Sequence, residues 1–151
     1  MNKEKKYIRL KEQIEKLTKD IGEPLSVMAT INAVLHHKMP GFFWTGFYLL
    51  NKNGDLLVGP YQGTLACILL EKNKGVCWAG INRKETVIVD DVETFEGHIA
   101  CSSLSKSEIV VPLFDGNEKV VGVLDVDSRE LANFDETDKK FLEEIVHLIY
   151  H

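Results

Sequence analysis

Apolar side chains near the start of the chain recur at steps of three and four. Ile8, Lys11, Ile14, Leu17 and Ile21 share one side of a helical wheel with charges between them, which predicts a helix over 3–19 ended by Gly22. Pro24 suits a first helical turn and opens a second helix, which runs through Leu25, Met28, Ile31, Val34 and Leu35 to about Lys38, where Pro40-Gly41 breaks it. His36 and His37 are expected to be solvated at its end. From Phe43 the composition turns aromatic and β-branched. A strand over 43–50, the turn Asn51-Lys52-Asn53-Gly54-Asp55 and a strand over 56–61 make a hairpin. A third strand is expected over 65–70, carrying Cys67. A short helix is expected after Gly75, with Cys77 near its N-terminus, where the helix dipole favours a thiolate.

Val87-Ile88-Val89 reads as a short strand, and 90–108 as a long connection that either hides a short helix or serves the function. A second hairpin follows, 109–114 and 119–126 around Asp115-Gly116-Asn117-Glu118. Asn133 or Asp135 can cap a last helix whose buried face is Phe141, Leu142, Ile145, Val146 and Ile149. The order gives an α+β fold: an antiparallel sheet with the N- and C-terminal helices on one face and a loop-built pocket on the other. No repeat or linker divides the chain, so 1–151 is expected to be one domain.

Composition narrows the function. The 151 residues carry a formal charge of −5, and with only Lys3, Lys5 and Lys6 clustered, nucleic acid is not an expected partner. The charged start is followed by no apolar targeting segment, and no run is long enough to span a membrane, so a cytoplasmic location is expected. Three cysteines are an odd count for a structural disulfide framework and point to redox or catalytic use. Their spacing fits no zinc pattern.

Two places carry chemistry. Cys101 stands in the polar stretch Gly97-His98-Ile99-Ala100-Cys101-Ser102-Ser103, unlike a core strand, and His98 and Lys106 are local cations able to favour a thiolate. Glu108 lies at the start of the following apolar run. Asp125 and Asp127, two apart on a strand, point to one face. In an antiparallel hairpin the start of one strand lies beside the end of the next, so Glu108 can join them. Three converging carboxyls repel one another, and one must keep its proton or a cation must sit among them. Calcium or magnesium would want more oxygen ligands and no thiol. A ligand ammonium, with one protonated carboxyl left as a general acid, suits a reactive cysteine better.

At these residues the sequence resembles the free methionine-(R)-sulfoxide reductases, which are built on a GAF domain. The matching pieces are Trp44-Thr45-Gly46-Phe47-Tyr48, Gly59-Pro60-Tyr61-Gln62-Gly63, Ala66-Cys67, Gly75-Val76-Cys77, Asp91-Val92, Gly97-His98-Ile99-Ala100-Cys101, Ser107-Glu108-Ile109-Val110-Val111-Pro112-Leu113 and Gly122-Val123-Leu124-Asp125-Val126-Asp127-Ser128. The resemblance implies a GAF-like sheet of about six antiparallel strands and reduction of free methionine sulfoxide of R configuration. It makes Cys101 the catalytic cysteine and Cys67 and Cys77 the recycling cysteines. Glu108, Asp125 and Asp127 become substrate-binding acids, with Trp44 and Tyr48 as aromatic walls. It implies recycling by a thioredoxin-like reductant and no metal or organic cofactor. Trp78, Glu96 and Ser102 depart from the family pattern and leave the choice between Cys67 and Cys77 as the resolving thiol open, with Cys67 favoured as a strand residue near the pocket. Two other readings compete: a GAF domain that binds a ligand without chemistry, and a thiol redox sensor. The apolar stripes of the first and last helices also raise the expectation of a homodimer.

Overall fold

The computed structural model describes residues 2–98 and 104–151; the expected catalytic residue Cys101 lies outside them. The chain folds as α1 (Lys3–Thr18), α2 (Pro24–Lys38), β1 (Trp44–Leu50), β2 (Leu56–Gln62), β3 (Leu69–Leu70), α3 (Gly75–Arg83), β4 (Val87–Val89), β5 (Ser107–Phe114), β6 (Val120–Ser128) and α4 (Glu136–His147). The strands form one six-stranded sheet in the order β3-β2-β1-β6-β5-β4. Every pairing is antiparallel. The α+β architecture expected from the sequence is the one observed.

Alternation along the central strands divides the interior into two cores. Ile109, Val111 and Leu113 of β5 and Leu124 and Val126 of β6 pack under α1, α2 and α4. Val110 and Val123 point the other way, into a second core with Val76, Trp78 and Ile81 of α3. β5 and β6 are covered on both faces, which is why they read as nearly continuous apolar runs. Helix α3 lies close on the sheet at Gly80, where a Cβ would come 2.7 Å from a Val110 methyl. The pocket face therefore carries a helix as well as loops.

Helix α4 starts as expected from Asp135, whose side chain accepts from the amides of Thr137 and Asp138, while Asp138 accepts in return from the Asp135 amide. All five residues of its expected face are buried. That stripe is taken up by the sheet, so of the two terminal helices only α1 keeps an apolar side outward. The face of α1 is the first correction. Tyr7, Leu10 and Ile14 are buried, whereas Ile8, Leu17 and Ile21 are 43%, 53% and 48% exposed. Two stripes of helical spacing interleave here, and the one holding Tyr7 turns inward. Its ring stacks on Phe141 at 5.2 Å, and its hydroxyl donates to Asp138 Oδ1 at 2.5 Å. The helix also ends at Thr18, ahead of Gly22.

The second correction concerns 65–70, where the strand narrows to Leu69–Leu70. Leu65 and Ile68 are 86% and 70% exposed. The carbonyls of Thr64 and Cys67 are taken by side chains of β1 instead of by a ladder: Trp44 Nε1 donates to Thr64 O at 3.0 Å, and Tyr48 Oη to Cys67 O at 3.0 Å. Cys67 thus sits in a loop, not on a strand. The long connection after β4 does hide a short helix, a 3-10 turn at Val92–Thr94 capped by Asp91. His36 is half-buried and within 3.2 Å of Thr45 Oγ1, while His37 is exposed.

Candidate active site

The register of three strands builds the site. Trp44 of β1 lies opposite Asp127 of β6, which lies opposite Glu108 of β5. Two residues further, Gly46, Asp125 and Val110 form the next row, and Tyr48 opposite Val123 begins the third. Directly opposed residues in an antiparallel sheet share a face. Because Leu124 and Val126 belong to the core under α1, α2 and α4, Asp125 and Asp127 must point toward α3. The convergence of Glu108 with the two aspartates is realised as the sequence implied.

Trp44, Tyr48, Cys77, Glu108, Asp125 and Asp127 line one pocket between the sheet, α3 and the 63–68 loop. The aromatic wall is layered: Trp44 stacks on Tyr61 at 5.2 Å and on Tyr48 at 5.8 Å. Gly46 makes this layering possible, because a Cβ there would fall 2.6 Å from the Trp44 ring. His98 and Ser105 close the pocket from the loop side. Of these, sequence reading singled out His98 only as a local cation and did not single out Gly46 or Ser105. A glycine alternating with aromatics on a strand was the available signal for the first.

The electrostatics follow from burial. Glu108 and Asp125 are 6% and 5% exposed. Burial, then repulsion from Asp125 and Asp127, pushes the Glu108 carboxyl well above the ordinary carboxylate range. Burial and the Asp125 charge do the same to Asp127. Asp125 is also raised by burial, but hydrogen bonds from Glu108 and Cys77 and the nearby His98 oppose the rise. The arrangement favours Asp125 as the anion and Glu108 as the group that holds a proton. Asp125 Oδ1 has no hydrogen-bond partner among the described residues, so the pocket presents an unanswered acceptor. Burial, a larger effect than the attraction of Asp125, lowers the pKa of His98 and favours the neutral ring.

The two described cysteines differ in state. Cys67, in the loop beside the pocket, is disulfide-bonded. Cys77 is free and buried. It occupies the first turn of α3 as expected, yet its thiol is pushed well above its ordinary pKa, first by burial and then by Asp125, Glu108 and Asp127. The helix dipole is outweighed, and Cys77 remains a thiol that donates to Asp125. This corrects the expectation of a thiolate there. Donor atoms of Cys77, Glu108 and Asp125 lie within 4.8 Å of one another and could offer ligands to a metal ion. A thiol among carboxylates is a poor set for calcium or magnesium.

The GAF domain family matches residues 22–150. The chain is 36% identical to the free methionine-R-sulfoxide reductase of Escherichia coli over 146 residues, which cover 97% of this chain and 87% of that protein. The structure of the free methionine-R-sulfoxide reductase of Neisseria meningitidis in complex with its substrate superposes with a TM-score of 0.93 at 42% identity, covering 99% of this chain and 89% of that one. The reduced form of the Staphylococcus aureus fRMsr gives a TM-score of 0.89 at 42% identity, covering 95% and 92%. No helix among the described residues is long and apolar enough to cross a membrane. With fold and relatives in agreement, the chain belongs to the free methionine-R-sulfoxide reductases, a family of GAF-domain proteins.

Proposed function

We propose that this chain reduces free L-methionine-(R)-sulfoxide to methionine through cysteine chemistry, and that a thioredoxin-like dithiol recycles it. The observation that carries the reading is the acid cluster beneath an aromatic wall, with Asp125 Oδ1 unpartnered among the described residues. An amino-acid ammonium supplies the cation the acids lack, and Asp125 and Asp127 are its natural partners. The methyl sulfoxide end lies against Trp44 and Tyr48, where a polarizable sulfur meets aromatic surface. Peptide-bound sulfoxide has no free ammonium to offer, which supports selectivity for the free amino acid.

In the reaction, the Cys101 thiolate attacks the sulfoxide sulfur while Glu108, held protonated by burial, donates to the sulfoxide oxygen. Methionine leaves, and Cys101 carries the oxygen as a sulfenic acid. The Cys67 thiol then condenses with it, water leaves, and a disulfide remains. Cys77, a buried thiol bound to Asp125, is better suited to holding that carboxylate than to resolving. A dithiol protein restores both thiols by exchange. No step calls for a metal or organic cofactor. The sensor readings lose ground to this one because neither needs a protonated carboxyl beside an ammonium site.

The test is NADPH consumption with thioredoxin and thioredoxin reductase, supplying the free R isomer, the free S isomer and a peptide-bound sulfoxide in parallel. Turnover of the free R isomer alone is expected, lost in Cys101→Ser. Cys67→Ser should stop after one methionine per chain, while Cys77→Ser should keep turning over. Absence of turnover with all three substrates, the cysteines being reduced, would overturn the reading in favour of a ligand-binding GAF domain.

A further inference from the structure

Beside the pocket, the chain exposes large apolar side chains where solvation would favour polar ones. Leu65, Ile68 and Leu69 are 86%, 70% and 58% exposed, and all lie within two residues of Cys67. The segment leads into β3, one of the two edge strands of the sheet. It is held firmly from behind: the Val58 amide donates to Ile68 O at 2.9 Å, and Tyr48 Oη fixes the carbonyl of Cys67. The backbone is pinned, and the side chains of Ile68 and Leu69 are turned outward. Isolated exposed apolar residues need no explanation, but a cluster around a disulfide does.

The occupant is indicated by the chemistry at the centre of the patch. Cys67 is half-buried and disulfide-bonded, and a disulfide in a partly covered position is opened by a thiolate that approaches along the S–S axis. A small thiol needs no apolar contact to do this. A protein dithiol does, because it must settle on this surface long enough for two successive exchanges.

We propose that Leu65, Ile68 and Leu69 form the docking surface for a thioredoxin-type dithiol protein that reduces the Cys67 disulfide. This rests on the recycling reading above and adds the surface that recognises the reductant. The first thiolate of the partner bonds to Cys67 Sγ, and the S–S bond breaks with its electron pair leaving on the other half-cystine, which takes up a proton. The second partner thiolate attacks its own neighbour in the mixed disulfide and releases Cys67 as a thiolate that is then protonated. Two electrons pass from the dithiol to the chain, and the partner leaves as a disulfide.

The test measures reduction of the oxidised full chain in the absence of any sulfoxide, once with reduced thioredoxin and once with dithiothreitol. The variant is Ile68→Ser/Leu69→Ser, which spares the pocket and both backbone hydrogen bonds, and Leu25→Ser, 65% exposed on α2, is the control. The second-order rate constant with thioredoxin is expected to fall at least tenfold in the double variant while that with dithiothreitol stays within twofold, and Leu25→Ser should change neither. An unchanged thioredoxin rate overturns the proposal. So does an equal fall with both reductants, which would mean that the loop had merely been disturbed. Because no sulfoxide is present, failure of the reductase reading shows up separately, as absence of methionine formation in chains whose disulfide thioredoxin reduces normally.

Discussion

Replacing Gly46 with alanine tests the pocket wall most directly, because the steric consequence can be worked out atom by atom. The added methyl would lie 2.4 Å from Tyr61 Cβ and 2.6 and 2.9 Å from two carbons of the Trp44 ring. Ordinary carbon contacts begin near 3.5 Å, so something must move by about 1 Å. Tyr61 Cβ is tied to the backbone of β2, so relieving that contact pushes β2 away from β1, and the Trp44 ring must turn as well. Trp44 is stacked between Tyr48 and Tyr61, and its Nε1 bond to Thr64 O is 3.0 Å long. Overpacking costs about 1–3 kcal/mol, and a lost hydrogen bond about 1 kcal/mol more. The expected loss of stability is therefore roughly 2–4 kcal/mol by these two contributions together. Urea unfolding followed by tryptophan fluorescence measures it, and KM for free methionine-(R)-sulfoxide, measured well below the unfolding midpoint, should rise because the aromatic wall is displaced. A stability change below about 0.5 kcal/mol, the range of an ordinary surface substitution, together with an unchanged KM, would refute the claim that Gly46 sets the position of Trp44.

Other expectations follow from the buried groups. The Glu108 carboxyl is raised in the folded chain, so its contribution to stability is fully present below its unfolded pKa, near 4.5, and is lost as pH rises through the elevated folded value, at about 1.4 kcal/mol per unit of elevation. Glu108→Gln should therefore become progressively more stable relative to the parent as pH rises above 4.5, and a difference that stays constant with rising pH in urea unfolding would sink the assignment. Tyr7→Phe leaves Asp138, 1% exposed, without the donor that reaches Oδ1, at a cost of about 1–3 kcal/mol. On the opposite face of the sheet from the pocket, it should lower the melting temperature without changing KM, and a shift in KM at full folding would contradict the two-core description.

Much of the fold was legible because its strongest patterns are local. Helix α2, the existence of both hairpins and the Asp135 cap of α4 follow from Pro24, the Asn51–Asp55 and Asp115–Glu118 turns, and the spacing of Phe141 to Val146, although β5 and β6 run two residues further at their outer ends than expected, to Ser107 and Ser128. The face of α1 was not legible, since the stripes through Ile8 and through Tyr7 have the same period and differ only in what meets them across the chain. The 65–70 segment misled for a related reason. Leu65, Ile68 and Leu69 have the composition of a strand, but Tyr48 claims the carbonyl of Cys67 and Trp44 that of Thr64 just before the segment. The acid trio was legible because pairing register is a local rule once the second hairpin is recognised. The state of Cys77 was not, because a position in the first turn of a helix says nothing of the carboxyls that a neighbouring sheet brings over it.

The register also explains how a sheet can keep two buried carboxyls, Glu108 and Asp125, beside the half-buried Asp127. Asp125 and Asp127 cannot turn to the opposite face without carrying Val123 with them and exchanging places with Leu124 and Val126, both fully buried under the helices. Slippage by one residue would bury the acids against Ile109 and Val111 and expose the apolar set, a far larger loss than the acids' own desolvation. The apolar alternation of β6 thus holds the acids in place against their preference for water, and their charge is left to be answered by a proton or by a ligand. A cation bound there exchanges a protonated carboxyl for an ion pair and releases the proton beside the bound molecule. The same burial that weakens the empty protein as pH rises is what favours the protonated form of Glu108, so relieving it with Glu108→Gln should gain stability and lose catalysis in the same step.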